Sequence, residues 1–164
     1  MDLRAAIAFI ESEVGDPSRG LPEEVFLFAS RIVPMINIDL LIKDEDGRTF
    51  LSWRDDEFAG KGWHIPGGII MVKEKAEERI KKVIEKEIDD LPVEYEKEPM
   101  AINEIVHSRP TRGHFISLLY RAFLSKKYRI NIGGQRKGER GFLKWHRGSP
   151  DDLIPVHNIY RKYL

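Results

Sequence analysis

Glu87 is the residue of this chain whose type and position most directly imply chemistry. On a wheel drawn from Lys73 to about Ile88 at roughly 100° per residue, Ala76, Ile80, Val83, Ile84 and Ile88 share one face. Glu87 falls inside that stripe, roughly 20° from Ile80. Glu74, Glu78 and Glu85 point to the opposite side, and Glu77 sits at the margin. A carboxylate on a core face needs a partner, because an unpaired buried charge is expensive. Two readings are open: Glu87 turns outward to solvent at the helix end, or it turns inward to meet a cation. The preceding run Trp63-His64-Ile65-Pro66-Gly67-Gly68 favours the second. Two glycines let a ligand approach the backbone closely. A main-chain carbonyl there and a helix carboxylate can share a hard cation, which takes oxygen ligands.

Further candidates are spread along the chain. Arg54 closes a strand and offers a phosphate its bidentate fork, or else simply faces solvent. His107, Arg109 and Arg112 crowd one turn and make a local positive spot, suited to a phosphate or to water. Asp39 interrupts an apolar strand, where aspartate is depleted, and alternation would let it face solvent. In the segment 132–141, Gly133, Gly134, Gly138 and Gly141 bracket Gln135, Arg136, Lys137, Glu139 and Arg140. So many glycines imply a loop with accessible backbone.

The elements that must position these residues follow from periodicity and punctuation. A helix over 2–14 is capped by Asp2, and a second runs from Pro22 to about Ile32. Both are expected to serve packing or dimer contacts, with nothing catalytic in them. A strong strand spans 34–43, the Asp44-Glu45-Asp46-Gly47 turn follows, and 48–54 returns as its partner. Residues 55–61 read as a charged loop before the Pro-Gly-Gly strand. After the 73–88 helix, Pro92 marks a stop. Strands are expected over 99–107, 114–124 and 142–145, with a last packing helix from about Pro155. His107 and His114 can face each other across the hairpin, an arrangement more often structural than metal-binding. Strands and helices do not alternate strictly, so the fold class is α/β with a mixed β-sheet and helices on its faces.

Composition narrows the function further. A chain of 164 residues is a prior for one domain. Its 27 basic and 27 acidic residues cancel, which argues against a general nucleic-acid binder. With no cysteine, disulfides, thiolate zinc sites and cysteine nucleophiles are excluded. No apolar run reaches membrane-spanning length. The N-terminus reads as an amphipathic helix, not a signal peptide, so a cytoplasmic setting is the default expectation.

The central stretch resembles the Nudix hydrolase family. The Nudix box reads Gly, five residues, Glu, seven residues, then Arg-Glu-aliphatic-any-Glu-Glu-any-Gly-aliphatic. Gly68 and Glu74 keep its spacing. Lys82 stands for the Arg, Val83 for the first Glu, Lys86 for the second, Glu87 for the third, and Asp89 for the closing Gly. The Trp-x-x-Pro-Gly-Gly lead-in is intact. This pattern of loss is similar to that of the GDP-mannose mannosyl hydrolases, which also keep only the third carboxylate.

The resemblance, which covers roughly residues 34 to 146, implies a Nudix-type alpha/beta/alpha sandwich over 34–164 behind an N-terminal helical extension, 1–33. It implies one Mg2+ (or Mn2+) held by the Gly67 carbonyl, Glu87 and Glu139. It places Asp39 and Arg54 near the substrate, and His107, Arg109 and Arg140 are the further candidates for binding substrate. Catalysis would rest on Arg54, Glu87 and Glu139. Arg140 falls where that branch has its catalytic histidine, and arginine stays protonated, so it cannot be the base. Ile69 stands where that branch has an arginine. The expected substrate is a nucleoside diphosphate derivative, a nucleotide sugar first. The alternatives are ordinary Nudix attack at phosphorus and an inactive ligand-binding domain, for which Val83 and Lys86 speak. A homodimer is expected by resemblance.

Overall fold

The computed structural model describes residues 2–128 and 138–164. Gly133, Gly134, Gln135, Arg136 and Lys137 of the glycine-rich segment lie outside the described residues. The element order is α1 (Leu3–Val14), α2 (Glu23–Ile32), β1 (Met35–Lys43), β2 (Thr49–Asp56), β3 (Gly60–His64), β4 (Gly67–Ile69), α3 (Ala76–Glu87), β5 (Glu94–Tyr95), β6 (Ala101–Val106), β7 (His114–Phe123) and β8 (Leu143–His146). A 3-10 helix, Pro155–Tyr163, closes the chain.

Among the described residues the strands form one mixed sheet around β1. It pairs in parallel with β7, from Met35 opposite Phe115 to Lys43 opposite Phe123. Its pairings with β2 and β4 are antiparallel. Because β1 is central, both of its faces are buried, and alternation sends its side chains to two cores. Ile38, Leu40 and Ile42 face α3, where Ile80, Val83, Ile84 and Ile88 meet them. Leu41 faces the other layer, with Leu51, Trp63, Ile65, Leu119, Leu153 and Tyr160. The apolar stripe expected on the box helix is therefore the one that packs.

Several boundaries differ from the sequence expectation. α3 starts at Ala76 rather than Lys73, because Lys73 sits at φ 61 and interrupts the helix. Glu74 is thus not on the helix at all. Its carboxylate is buried and ties the preceding turn down, accepting from Met71 N at 2.9 Å and pairing with Arg79 at 2.6 Å and Lys82 at 2.7 Å. The charged loop 55–61 shrinks to a turn, since Asp56 Oδ1 accepts from Phe58 N at 2.9 Å and Ala59 N at 2.7 Å. The C-terminal helix is present from Pro155, but wound as a 3-10 helix. α1 is capped by Asp2 as expected, through Ala5 N at 2.8 Å. It buries none of its residues. No helix among the described residues is long and apolar enough to cross a membrane.

Asp39 does not face solvent. It is buried, and its carboxylate accepts from Ser117 Oγ at 2.6 Å, Tyr160 OH at 2.7 Å and Asn37 Nδ2 at 2.9 Å. Burial raises its pKa, and the two hydroxyls and the amide oppose that rise. Burial also pushes the Tyr160 phenol up, with the Asp39 charge adding to the effect. This cluster fastens the C-terminal helix to the middle of the sheet. Tyr160→Phe keeps the ring and removes one donor to a buried carboxylate. It is expected to cost about 1–3 kcal/mol, read as a lower urea midpoint at unchanged m.

Candidate active site

The diglycine strand, α3, the N-terminal segment and the β6–β7 turn enclose a cleft of about 780 Å3. Its width depends on two missing side chains. A Cβ on Gly67 would lie 2.5 Å from Asp39 Oδ1 and 2.6 Å from Ile38 O, and one on Gly68 would lie 3.2 Å from Arg79 and Val83. Glycine at both positions lets β4 press against β1 on one side and α3 on the other. Pro66 O accepts from Leu40 N at 2.9 Å, so strand alternation directs the next carbonyl, Gly67 O, away from β1.

Glu87 lies on the cleft wall at the last residue of α3. Its side chain is only 21% exposed, and His64 Nε2 lies 3.5 Å from Oε2. Oε2 is buried and has no hydrogen-bond donor. His64 is buried at the end of β3, and its Nδ1 is 2.8 Å from Ser52 O. A carbonyl oxygen only accepts, so Nδ1 carries the hydrogen. In the neutral ring Nε2 then presents a lone pair toward Glu87.

His157 stands behind His64, with ring centroids 6.0 Å apart. Its Nδ1 accepts the Ile65 N–H at 3.1 Å, which puts the ring hydrogen on Nε2. Burial holds its pKa well below the usual histidine range, and the Arg54 charge acts in the same direction.

Part of the cleft wall is cationic. Arg54, Arg109 and Arg112 all line the cleft. Arg54 Nε is 3.2 Å from Asp56. Arg109 donates to Arg112 O at 2.8 Å and to Phe58 O. The Arg112 guanidinium stacks on Phe58 at 4.7 Å and on Phe26 at 5.7 Å from the ring centroids. Its Nε is buried without a partner. Burial lowers the pKa of both Arg109 and Arg112, yet arginines of this kind remain charged. The Arg112 backbone N–H donates to Ser30 Oγ at 3.1 Å, which ties the turn to α2.

The structure thus brings Asp39, Arg54, Gly67, Glu87 and Arg109 to one cleft. It does not bring in three other candidates. His107 is half-buried and does not line the cleft. Its backbone N–H is held by Gly113 O at 2.7 Å, and burial followed by the Arg109 charge lowers its pKa. Glu139 and Arg140 are exposed in the turn before β8. There the Gly141 N–H donates to Trp53 O at 2.9 Å and the Phe142 N–H to Glu139 O at 3.0 Å. Neither lines the cleft.

The N-terminal segment does more than the packing expected of it. Pro17, Arg19, Leu21, Phe26 and Ala29 are part of the wall. His64 and His157 were not singled out from the sequence. His64 lies inside the Trp-x-x-Pro-Gly-Gly run, between two buried apolar residues, and that placement was an available signal. His157 has no local signal.

Among the described residues no group of three or more histidines, aspartates and glutamates is disposed to hold a metal. A divalent cation nevertheless fits the partnerless Glu87 oxygen, with main-chain oxygen, water and a ligand's own phosphate oxygens completing its shell.

The coordinates resemble several solved structures. A MutT Nudix hydrolase from Burkholderia pseudomallei aligns over 80% of this chain and 98% of its own, with 20% identity and a TM-score of 0.61. A possible asymmetric diadenosine tetraphosphate hydrolase from Jonesia denitrificans aligns over 80% and 92%, with 20% identity and a TM-score of 0.59. The Nudix domain of Shewanella oneidensis NrtR, in complex with ADP ribose, aligns over 89% and 83%, with 18% identity and a TM-score of 0.50. The fold is that of the Nudix hydrolases. No protein-family model matches the chain. Among curated proteins, the low-salt glycan biosynthesis protein Agl8 of Haloferax volcanii is 26% identical over 77 residues. That match spans 47% of this chain and about half, 49%, of the relative. On the Nudix fold observed here, the box helix presents one carboxylate to the cleft, Glu87, alongside Val83 and Lys86.

The histidines fix the acid limb of the stability curve. The unfolded chain takes up protons on histidine below about pH 6.5, whereas folded His157 resists them. Burial, with Lys144 beside it, likewise holds His146 down to about 4. The stabilisation from these histidines is therefore constant above about pH 6.5 and falls as pH drops below it, by up to about 1.4 kcal/mol per pH unit for His157. Urea titrations between pH 7 and pH 5 are expected to show this fall, and His157→Gln is expected to make it shallower.

Proposed function

We propose that the chain is a divalent-cation-dependent hydrolase of nucleoside diphosphate derivatives, and that its substrate is a nucleotide sugar. The observation that carries this reading is the pairing, across one cleft, of a buried carboxylate oxygen without a donor and three guanidinium groups. A carboxylate left in that state suits a cation, and the guanidinium groups suit the phosphates of a diphosphate.

Glu87 and the Gly67 carbonyl would hold the Mg2+ (or Mn2+), and the cation would supply positive charge to the departing diphosphate. Arg54, Arg109 and Arg112 bind the phosphate oxygens and stabilise the same developing charge. The Phe26 and Phe58 faces, already stacked on Arg112, give a flat apolar wall for a base or sugar. Water attacks the sugar carbon, the bond from that carbon to the diphosphate oxygen breaks, and the water loses a proton. The products are the free sugar and the nucleoside diphosphate. A single helix carboxylate agrees with this route, because only the leaving diphosphate needs a cation. Two relatives point the same way: the NrtR domain holds a nucleoside diphosphate linked to a sugar, and Agl8 is named for glycan biosynthesis.

One observation favours a second reading. Lys86 lines the cleft where the Nudix box has a carboxylate. A fixed positive charge there suits retention of an anionic ligand without turnover.

A panel of nucleotide sugars incubated with Mg2+ or Mn2+ in oxygen-18 water separates these cases. Label in the released sugar is the expected result, whereas label in phosphate would mean attack at phosphorus. Binding without products would establish the second reading. Glu87→Gln is expected to lower metal-dependent turnover at least about 100-fold, with the fold intact by circular dichroism. Phe26→Ala is expected to raise KM about tenfold while kcat changes little, from the loss of one aromatic face.

A further inference from the structure

We infer that His64 Nε2 is a ligand of the same cation as Glu87, making this a mixed nitrogen–oxygen site. The inference rests on the metal-dependent reading above.

Two acceptors face each other here. The ring hydrogen of neutral His64 is committed to Ser52 O at 2.8 Å, so Nε2 offers only a lone pair. Opposite it, 3.5 Å away, is the Glu87 oxygen that no donor reaches. A lone pair and a carboxylate oxygen repel unless something positive lies between them. A proton shared as an ion pair would draw the atoms to about 2.7–2.9 Å, closer than they stand. Two donors each about 2.0–2.2 Å from one ion stand roughly 3 Å or more apart, and the observed spacing falls in that range.

The surroundings of the ring agree. A metal-bound imidazole almost always gives its other N–H to a carbonyl or carboxylate, which fixes the ring and raises its basicity. Ser52 O, on the neighbouring strand, is in that position, since Ser52 and His64 are register partners. The ring is buried at the end of a paired strand, so little rotamer freedom is left to lose on binding. Imidazole is a softer donor than oxygen, and first-row transition ions accept it more readily than magnesium, which prefers oxygen and gives up its waters reluctantly. The chain should therefore prefer Mn2+ to Mg2+ more strongly than an all-oxygen site would.

The test uses the full chain and Mn2+ alone, without substrate. Pulsed electron paramagnetic resonance of bound Mn2+ is expected to show nitrogen-14 coupling from a directly bound imidazole. The coupling is expected to become a nitrogen-15 pattern when the histidines are nitrogen-15 labelled. It should be lost in His64→Gln and kept in His157→Gln. Competition titrations should show the Mn2+ over Mg2+ preference falling at least tenfold in His64→Gln. Mn2+ bound by the wild-type chain without nitrogen coupling would overturn the inference and leave the metal-dependent reading standing, as would coupling that survives in His64→Gln. No Mn2+ binding at all would remove that reading, and this inference with it. Should His64→Gln not fold, the labelled wild-type spectrum together with His157→Gln still decides the question.

Discussion

The site depends on how closely three layers of backbone approach one another at Gly67 and Gly68. A methyl group on Gly67 would overlap a buried carboxylate oxygen and a strand carbonyl, and one on Gly68 would press on α3. Removing both side chains lets the diglycine strand lie between the central strand and the box helix. That placement fixes how closely the helix lies against the strand, and Glu87 is the last residue of that helix. The cleft is therefore set by backbone packing before any charged group is considered.

Two carboxylates facing inward then receive opposite treatment. Asp39 is surrounded by donors: two hydroxyls and an amide meet it, and it becomes part of the frame. Glu87 is left with one oxygen that nothing protonated reaches. A fold that satisfies one carboxylate so fully and leaves another incomplete has separated a structural role from a functional one. The same contrast holds for the histidines. His157 uses its lone pair on the Ile65 N–H, while His64 keeps a lone pair directed at Glu87.

The parts of this arrangement that were legible in the sequence are those encoded locally. The apolar stripe of α3, the β1–β2 hairpin and the Pro-Gly-Gly turn each follow from residues a few positions apart, and all three are present. Asp39 shows why the rest was not legible. Its strand pattern predicts an outward carboxylate, and its burial is made tolerable by donors that include a serine 78 positions later and a tyrosine 121 positions later, the latter brought in by the C-terminal helix. Arg112 is similar, because its stacking partners come from α2 and from the β2–β3 turn. Glu74 was misplaced because a left-handed Lys73 shortens the helix, a backbone event that periodicity does not register.

The hydrogen bond from the Arg112 backbone to Ser30 joins the cationic wall to α2. That helix otherwise has little hold on the domain, since Ser30 is its one buried residue. A bound anion that steadies the guanidinium also steadies the helix. By thermodynamic reciprocity, a partner of the helix whose affinity the anion changes would change the grip on the anion by the same factor. The N-terminal arm and the charge-binding wall thus behave as one lever with two handles.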